Sequence, residues 1–246
     1  MVLLSIAFFF IAWIYASVGF GGGSAYLSLL VLKGLPYEQI PQLSLLCNIL
    51  VSGTSFLNFR HRGHFSWSLF WPFAASSIPF AYLGAMLHVP KTFFLLILGL
   101  SLFAAGLRLL VKTPMQIQCR QTYLISQLAI GAVVGFISGL VGIGGGIFLA
   151  PILLNLGWGN AKQVATVASA FILVNSIAGL YGQWTKMNGF SIDAYWPLLL
   201  AVLVGGQCGS RLGSGMLFSQ NNVRRLTACL SLFVSLRILY GLLLDT

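Results

Sequence analysis

The stretch "KTFFLLILGLSLFAAGLRLL", Lys91–Leu110, has no acid and no alternation of apolar with polar residues. A transmembrane β-strand switches face at every residue and must alternate. Twenty residues in helical form instead rise roughly 30 Å, the thickness of a bilayer's hydrocarbon core. Runs of this kind recur along the chain, and nothing else in the sequence can cover them. The chain is 58% hydrophobic and 7% charged, where a soluble domain carries roughly 25% charged residues. Its acids are Glu38, Asp193 and Asp245 alone. The expected class is an all-α polytopic membrane protein whose main partner is the lipid bilayer.

The net charge of +10 does not point to nucleic acid, because the cations are scattered among short loops with no aromatic-interleaved basic surface. Loop Lys and Arg in such a protein set its orientation. Cys47, Cys119, Cys208 and Cys229 form no C-x-x-C pair, and three lie in apolar runs. They read as packed free thiols. His61 and His64 in "RHRGH" lack a third ligand nearby, so no metal site is expected, and no cofactor. No Lys or Arg precedes Lys33, so the N-terminus lacks the basic region of a signal peptide and reads as the first membrane segment.

Two apolar segments are interrupted by the same motif. "SVGFGGGSAYLSLLVL" (Ser17–Leu32) and "LVGIGGGIFLAPILLN" (Leu140–Asn155) share V-G-[Phe/Ile]-G-G-G followed by an apolar run. Further pairs match. "RGHFSWSLFWP" resembles "NGFSIDAYWP", "YLGAML" resembles "RLGSGML", and "SLFAAGLRLL" resembles "SLFVSLRIL". The chain therefore reads as two homologous repeats, 1–112 and 121–246, joined by a polar linker over 113–120. Internal repeats are a common construction of secondary transporters. The predicted segments are 2–17, 20–33, 40–59, 67–87 and 92–111, then 122–140, 143–156, 162–184, 191–216 and 222–243. These are ten helical segments, or about eight spans with the short glycine-flanked pieces counted as parts of broken helices.

A 14-residue helix reaches about 21 Å, too short to cross. Each glycine cluster therefore either kinks one long helix or turns the chain back as a hairpin. With kinks, the cations fall seven to one side and six to the other. With hairpins, nine fall together (Arg60, Arg62, Arg108, Lys112, Arg120, Lys162, Arg211, Arg224, Arg225), and Lys33, Lys91, Lys186 and Arg237 fall opposite. The excess of cytoplasmic Lys and Arg seen in membrane proteins favours the second arrangement. The repeats are then inverted, the 60–66 and 112–121 loops cytoplasmic and both termini outside.

Irregular backbone at membrane depth must be buried in protein or line a cavity. A short helix that starts after a glycine turn offers free N–H groups and its positive dipole end, which favours an anion. The candidate substrate-binding set is Gly19, Gly21, Gly22, Gly23 and Ser24 from the first motif, with Gly142, Gly144, Gly145 and Gly146 from the second. Asn48 and Asn175, amides inside apolar helices at repeat-related positions, complete a polar wall or bond between helices. Ser44, Thr166 and Ser169 are weaker candidates. Arg211, deep among glycines, is a candidate counter-charge, whereas Arg108 and Arg237 read as snorkelling to the interface. The tandem small-residue stretches "GAVVGFISG" (Gly131–Gly139) and "GGQCGSRLG" (Gly205–Gly213) read as helix packing.

The two glycine motifs, one per half of a small polytopic chain, resemble the sulfite exporter TauE/SafE family, also called the toluenesulfonate uptake permease family. The second motif with Pro151 is the most specific part, and the resemblance covers nearly the whole chain. Ser28 stands where Pro151 stands in the second half. The resemblance implies a transporter of the bacterial inner membrane that moves small anions such as sulfite, sulfonates and related organosulfur or carboxylate compounds. An anion channel and a structural membrane subunit are the rival readings, and homo-oligomerisation is left open. With no H-E-x-x-H, no buried acid pair and no duplicated nucleophile, no catalytic residue is assigned.

Overall fold

A computed structural model describes residues 2–110, 123–184, 192–215 and 220–244. The expected linker and the cations Lys112, Arg120 and Lys186 lie outside them. The elements are α1 (Val2–Ala16), α2 (Gly23–Leu32), α3 (Gln39–Arg60), α4 (Trp67–Met86), α5 (Lys91–Leu110), α6 (Leu124–Val141), α7 (Gly146–Asn155), α8 (Ala161–Gln183), α9 (Trp196–Gly215) and α10 (Gln220–Leu244). No strand occurs among the described residues. Of the described helices, α3, α4, α6 and Lys162–Gln183 of α8 are long and apolar enough to cross a membrane. Side chains such as Leu3, Ile125, Val133 and Leu236 point outward. That surface suits hydrocarbon and not water.

Contacts along each helix pair fix the relative directions. Gly205, Gly209 and Gly213 of α9 sit against the carbonyl oxygens of Phe9, Trp13 and Ser17. The constant offset makes α1 and α9 parallel. Gly131, Gly135 and Gly139 of α6 rest in the same way on the backbone at Phe73, Ser77 and Ala81, so α4 and α6 are parallel. Both tandem glycine stripes therefore let two backbones touch, as small-residue packing in membranes requires. Asn58 Nδ2 donates to Ser210 Oγ at 2.7 Å and Arg62 Nη1 to the Ser214 carbonyl at 2.7 Å, which sets α3 parallel to α9. Tyr82 stacks on Tyr181 at 5.6 Å and Phe73 meets Trp158 at 6.2 Å, so α4 and α8 are parallel. Leu45 lies by Gly179 and Leu173 by Gly53, which makes α3 and α8 antiparallel.

Thus α1, α3 and α9 run one way, and α4, α6 and α8 the other. In the first half, α1 and α3 can be parallel only if the chain returns between them. A single kinked helix over 2–33 would leave them antiparallel. The return is direct: Phe8, halfway along α1, stacks on Tyr26 in the first turn of α2, with ring centroids 4.8 Å apart. In the second half Gly145 lies beside Val134, well back along α6. The pairs α1–α9 and α4–α6 exchange under a swap of the two halves, as do α3–α9 and α8–α4, while α3–α8 and α5–α10 map onto themselves.

The thiols differ from expectation. Cys47 is buried, but Cys208 and Cys229 are exposed, because they sit on outward faces of the peripheral helices α9 and α10. Cys119 lies outside the described residues. Trp67, Trp71, Trp184 and Trp196, at helix ends, are exposed, as an interfacial aromatic belt would be.

Candidate substrate site at two facing glycine turns

The first turn begins where α1 stops. Gly19 takes φ +79, and the Phe20 N–H reaches back to the Tyr15 carbonyl at 2.9 Å, a closure that only a left-handed residue allows cheaply. Gly22 (φ +83) is then the N-cap of α2, and Gly145 (φ +80) the N-cap of α7. Neither cap has a side chain to bond the first turn. The leading N–H groups of both ten-residue helices are thus without intrahelical acceptors. The departure at Ser28 leaves the length unchanged: α2 and α7 each have 10 residues, roughly 15 Å, half of a hydrocarbon core. The hydroxyl of Ser28 donates to the Ser24 carbonyl at 2.6 Å, whereas Pro151 removes the donor that the Ile147 carbonyl would use.

The turns meet at Asn48, which is fully buried midway along α3. A methyl at Gly21 would lie 2.7 Å from its Oδ1, and one at Gly144 would lie 2.9 Å from its Nδ2. The Nδ2 donates to the Ile143 carbonyl at 2.9 Å. One helical turn earlier, Ser44 Oγ donates to the Gly142 carbonyl at 2.8 Å. Gly23 packs directly on the Ile143 carbonyl. The first half therefore holds the second half's glycine turn by two side-chain hydrogen bonds. A cavity of about 10 Å³ lies between the turns, lined by Tyr15, Phe20, Ser24, Ile143, Ile147, Ile172 and the glycines 21–23 and 146. That volume is near the minimum for one water.

Several buried polar atoms around the turns have no hydrogen-bond partner among the described residues: Tyr26 Oη, Asn48 Oδ1, Ser138 Oγ, Asn175 Oδ1 and Ser176 Oγ. Such atoms are costly unless something meets them. Tyr26 Oη is 3.1 Å from the Cβ position of Gly22, and Ser176 Oγ 3.0 Å from that of Gly144. The sequence reading did not single out Tyr26, Ser138 or Ser176. Their signal is spacing: Tyr26 follows Gly22 by one turn, Ser138 precedes Gly142 by one turn, and Ser176 adjoins Asn175.

The structure thus gathers Gly21–Ser24, Gly144–Gly146 and Asn48 at one place, with Gly19 and Gly142 as the bends that lead there. Asn175 is buried, but its Nδ2 donates to Phe171 O of its own helix at 2.8 Å. The α8 atoms nearest Gly144 belong to Ile172 and Ser176. Thr166 and Ser169 bond carbonyls of their own helix. Arg211 is not brought to the turns. It is exposed, since Gly209 and Gly213 face α1 and a residue two positions on lies about 200° around the helix. With its amide oriented to accept, Gln207 bonds the guanidinium at 3.1 and 3.0 Å.

Residues 4–238 match the family model described as "Sulfite exporter TauE/SafE". The chain is 36% identical over 242 residues to a "Probable membrane transporter protein y4hK" of Sinorhizobium fredii (strain NBRC 101917 / NGR234), covering 96% of this chain and 97% of that one. It is 27% identical over 236 residues to a "Probable membrane transporter protein ORF9" of Sinorhizobium sp, covering 94% and 89%. No solved structure matches it significantly. The chain belongs to the sulfite exporter TauE/SafE family and is a multi-pass membrane protein.

Proposed function

We propose that the protein is a secondary carrier of small anions, with sulfite, sulfonates and related organosulfur or carboxylate compounds as its substrate class. It works by alternating access in a bacterial inner membrane, with the basic 60–66 loop cytoplasmic. The observation that carries this reading is the meeting of two half-helix N-termini across Asn48, with unpartnered hydroxyls around them. Free N–H groups and positive dipole ends converge from both halves on one point, which is how broken helices bind anionic groups in transporters. The anion is held by N–H groups of the turns Gly21–Ser24 and Gly144–Gly146 and by the hydroxyls of Tyr26, Ser138 and Ser176, while Asn48 braces the second turn through its Nδ2. The opposed helix directions support reading 1–112 and 121–246 as inverted repeats, each turning one hairpin toward the shared site.

An oxyanion is larger than the closed cavity, so the hairpins part to admit it, on one face at a time. The test is transport by the purified protein in proteoliposomes. Labelled sulfite or methanesulfonate should enter saturably and be displaced by the unlabelled anion. Flux that never saturates would make the protein a channel, and no flux from the purified chain would refute a carrier.

A further inference from the structure

We propose that Arg62 and Arg211, brought together at the seam of α3 and α9, hold the phosphate of an anionic membrane lipid. Arg62 follows Asn48 by 14 positions, roughly 20 Å of helix, so the site is separate from the glycine turns and stands whatever anion the protein carries. First, the seam is built. Asn58 Nδ2 donates to Ser210 Oγ and Arg62 Nη1 to the Ser214 carbonyl, both at 2.7 Å, and these bonds tie the end of α3 to the last turn of α9. Arg211 adjoins Ser210 and is turned outward. Gln207, one turn back with its amide oriented to accept, takes its Nε and Nη2 at 3.1 and 3.0 Å. Second, the charge is not neutralised. Each guanidinium has five N–H donors, of which Arg62 has one bonded and Arg211 two among the described residues. Glu38 stands before the start of α3 and Asp193 before the start of α9, so both described acids lie at the far ends of the two helices. Third, the surface leading to the pair is apolar: Val204, two turns before Arg211, is 52% exposed and Leu57, beside Asn58, 55%.

A guanidinium on a lipid-facing helix is costly within hydrocarbon. One turn from the end of α9, Arg211 reaches the phosphate layer by extending its stem along the helix. There the fork of each guanidinium matches two oxygens of a phosphodiester, and the anion relieves the repulsion between two neighbouring cations. The apolar stripe of Leu57 and Val204 takes an acyl chain, so headgroup and tail are met together. Basic pockets between membrane helices bind anionic headgroups in this way. A phosphatidylcholine phosphate carries its own ammonium and gains less, whereas phosphatidylglycerol brings an unbalanced negative charge. Arg60 supplies the contrast. It is exposed at the same end of α3, but two positions from Asn58 it lies about 200° around the helix. Its guanidinium sits over the Phe56 ring at 5.6 Å, and Phe56 packs on Phe65, away from α9. A diffuse basic surface would use Arg60 as readily as Arg211; the seam does not.

The experiment is native mass spectrometry of the purified full-length protein, stripped of lipid in a neutral detergent and titrated with dioleoylphosphatidylglycerol or dioleoylphosphatidylcholine. Melting temperatures are recorded in parallel. Phosphatidylglycerol should bind about tenfold more tightly than phosphatidylcholine and raise the melting temperature, since it binds the folded state across two helices. Arg211→Gln and Arg62→Gln should each erase that preference; glutamine at 62 still offers an N–H to the Ser214 carbonyl. The two variants sit on either side of the seam, so a folding defect in one leaves the other to decide. Arg60→Gln removes the same charge from the same end of α3 and should keep the preference. Inorganic phosphate should neither displace phosphatidylglycerol nor raise the melting temperature. Equal affinity for the two lipids in the unaltered protein would overturn the proposal. An equal loss in Arg60→Gln and Arg211→Gln would replace the site with general surface charge. Displacement of phosphatidylglycerol by inorganic phosphate would make the pair a site for free anions and overturn the lipid assignment.

Discussion

Replacing Asn48 or Asn175, the two buried asparagines of α3 and α8, by alanine should have unequal effects, and the structure gives the size of the difference. Asn48 Nδ2 donates at 2.9 Å to the Ile143 carbonyl, in a turn with no helical donors of its own. In Asn48→Ala that carbonyl loses its partner inside a buried wall. An orphaned buried acceptor costs about 1–3 kcal/mol, though hydrogen bonds between membrane helices average nearer 0.6 kcal/mol with a maximum of about 1.7. The lost amide also takes away the packing between Gly21 and Gly144. Together these give about 2 kcal/mol, on the order of 5 °C in melting temperature for a chain of this size. In Asn175→Ala the bond lost is to Phe171 O, one turn back on the same helix. That carbonyl is still within the helical ladder, so the cost is about 0.5 kcal/mol.

The assay is thermal unfolding of both variants in one detergent, alongside methanesulfonate binding. Asn48→Ala should melt several degrees below Asn175→Ala and lose most of its binding, since the second glycine turn is no longer held in place. Equal melting temperatures, or a larger loss in Asn175→Ala, would refute the idea that Asn48 joins the two halves.

Three other outcomes follow from the same contacts. Gly139→Ala puts a methyl onto the Ala81 carbonyl and forces α4 and α6 apart; overpacking of this kind costs about 1–3 kcal/mol, read as a lower melting temperature with weakened yield. Gly22→Ala combines a left-handed φ of +83 with a methyl 3.0 Å from the Tyr26 ring, about 1–2 kcal/mol of backbone strain, and should abolish anion binding beyond what its melting shift explains. In a cysteine-free background, a single cysteine at Gly63 should be shielded from an impermeant maleimide in intact cells, and one at Gly34 should label; the reverse pattern would invert the assigned orientation.

Much of the architecture is legible in the sequence because the bilayer removes alternatives. Backbone polar groups in hydrocarbon must pair within the segment, so each long apolar run is a helix, and its ends fall near the flanking Gly, Pro and charged residues. The ten segments read from the sequence match the ten helices to within a few residues, apart from the glycine turns themselves. There, Gly22 and Gly145 delay the start of α2 and α7 by a left-handed residue. The tandem glycine stripes were also legible as packing surfaces, although not which helix each would meet. Arg211 shows why. Its position among glycines looked deep, but those glycines face α1, and the helical period carries the arginine outward.

The glycine turns show the limit of likeness between the two halves as a guide. The sequence reads Asn48 and Asn175 as repeat-related, and both are buried. Their partners are not equivalent. Asn48 reaches Ile143 in the other half, and Ser44 beside it reaches Gly142; Asn175 bonds its own helix. Gly142 packs on Pro41 as Gly19 packs on Ala165, and both Gly21 and Gly144 meet Asn48 and Ile172, which sets Ser44 opposite in role to Ala168 and Asn48 to Ile172. Neither Ala168 nor Ile172 has a side-chain hydrogen to donate to a carbonyl, so both cross-links are one-sided. Among the described residues, the first glycine turn is held by its own backbone bonds, by a long hydrogen bond from Ser44 Oγ to the Gly23 carbonyl at 3.4 Å, and by packing against Ala165, Asn48 and Ile172. Likeness between the two halves does not fix where a polar side chain sits along its helix: Asn48 is the tenth residue of α3 and Asn175 the fifteenth of α8. Which atom it meets depends on the register of the opposite hairpin, and that register is decided by apolar packing, in which Ile172 and Phe171 count as much as any motif.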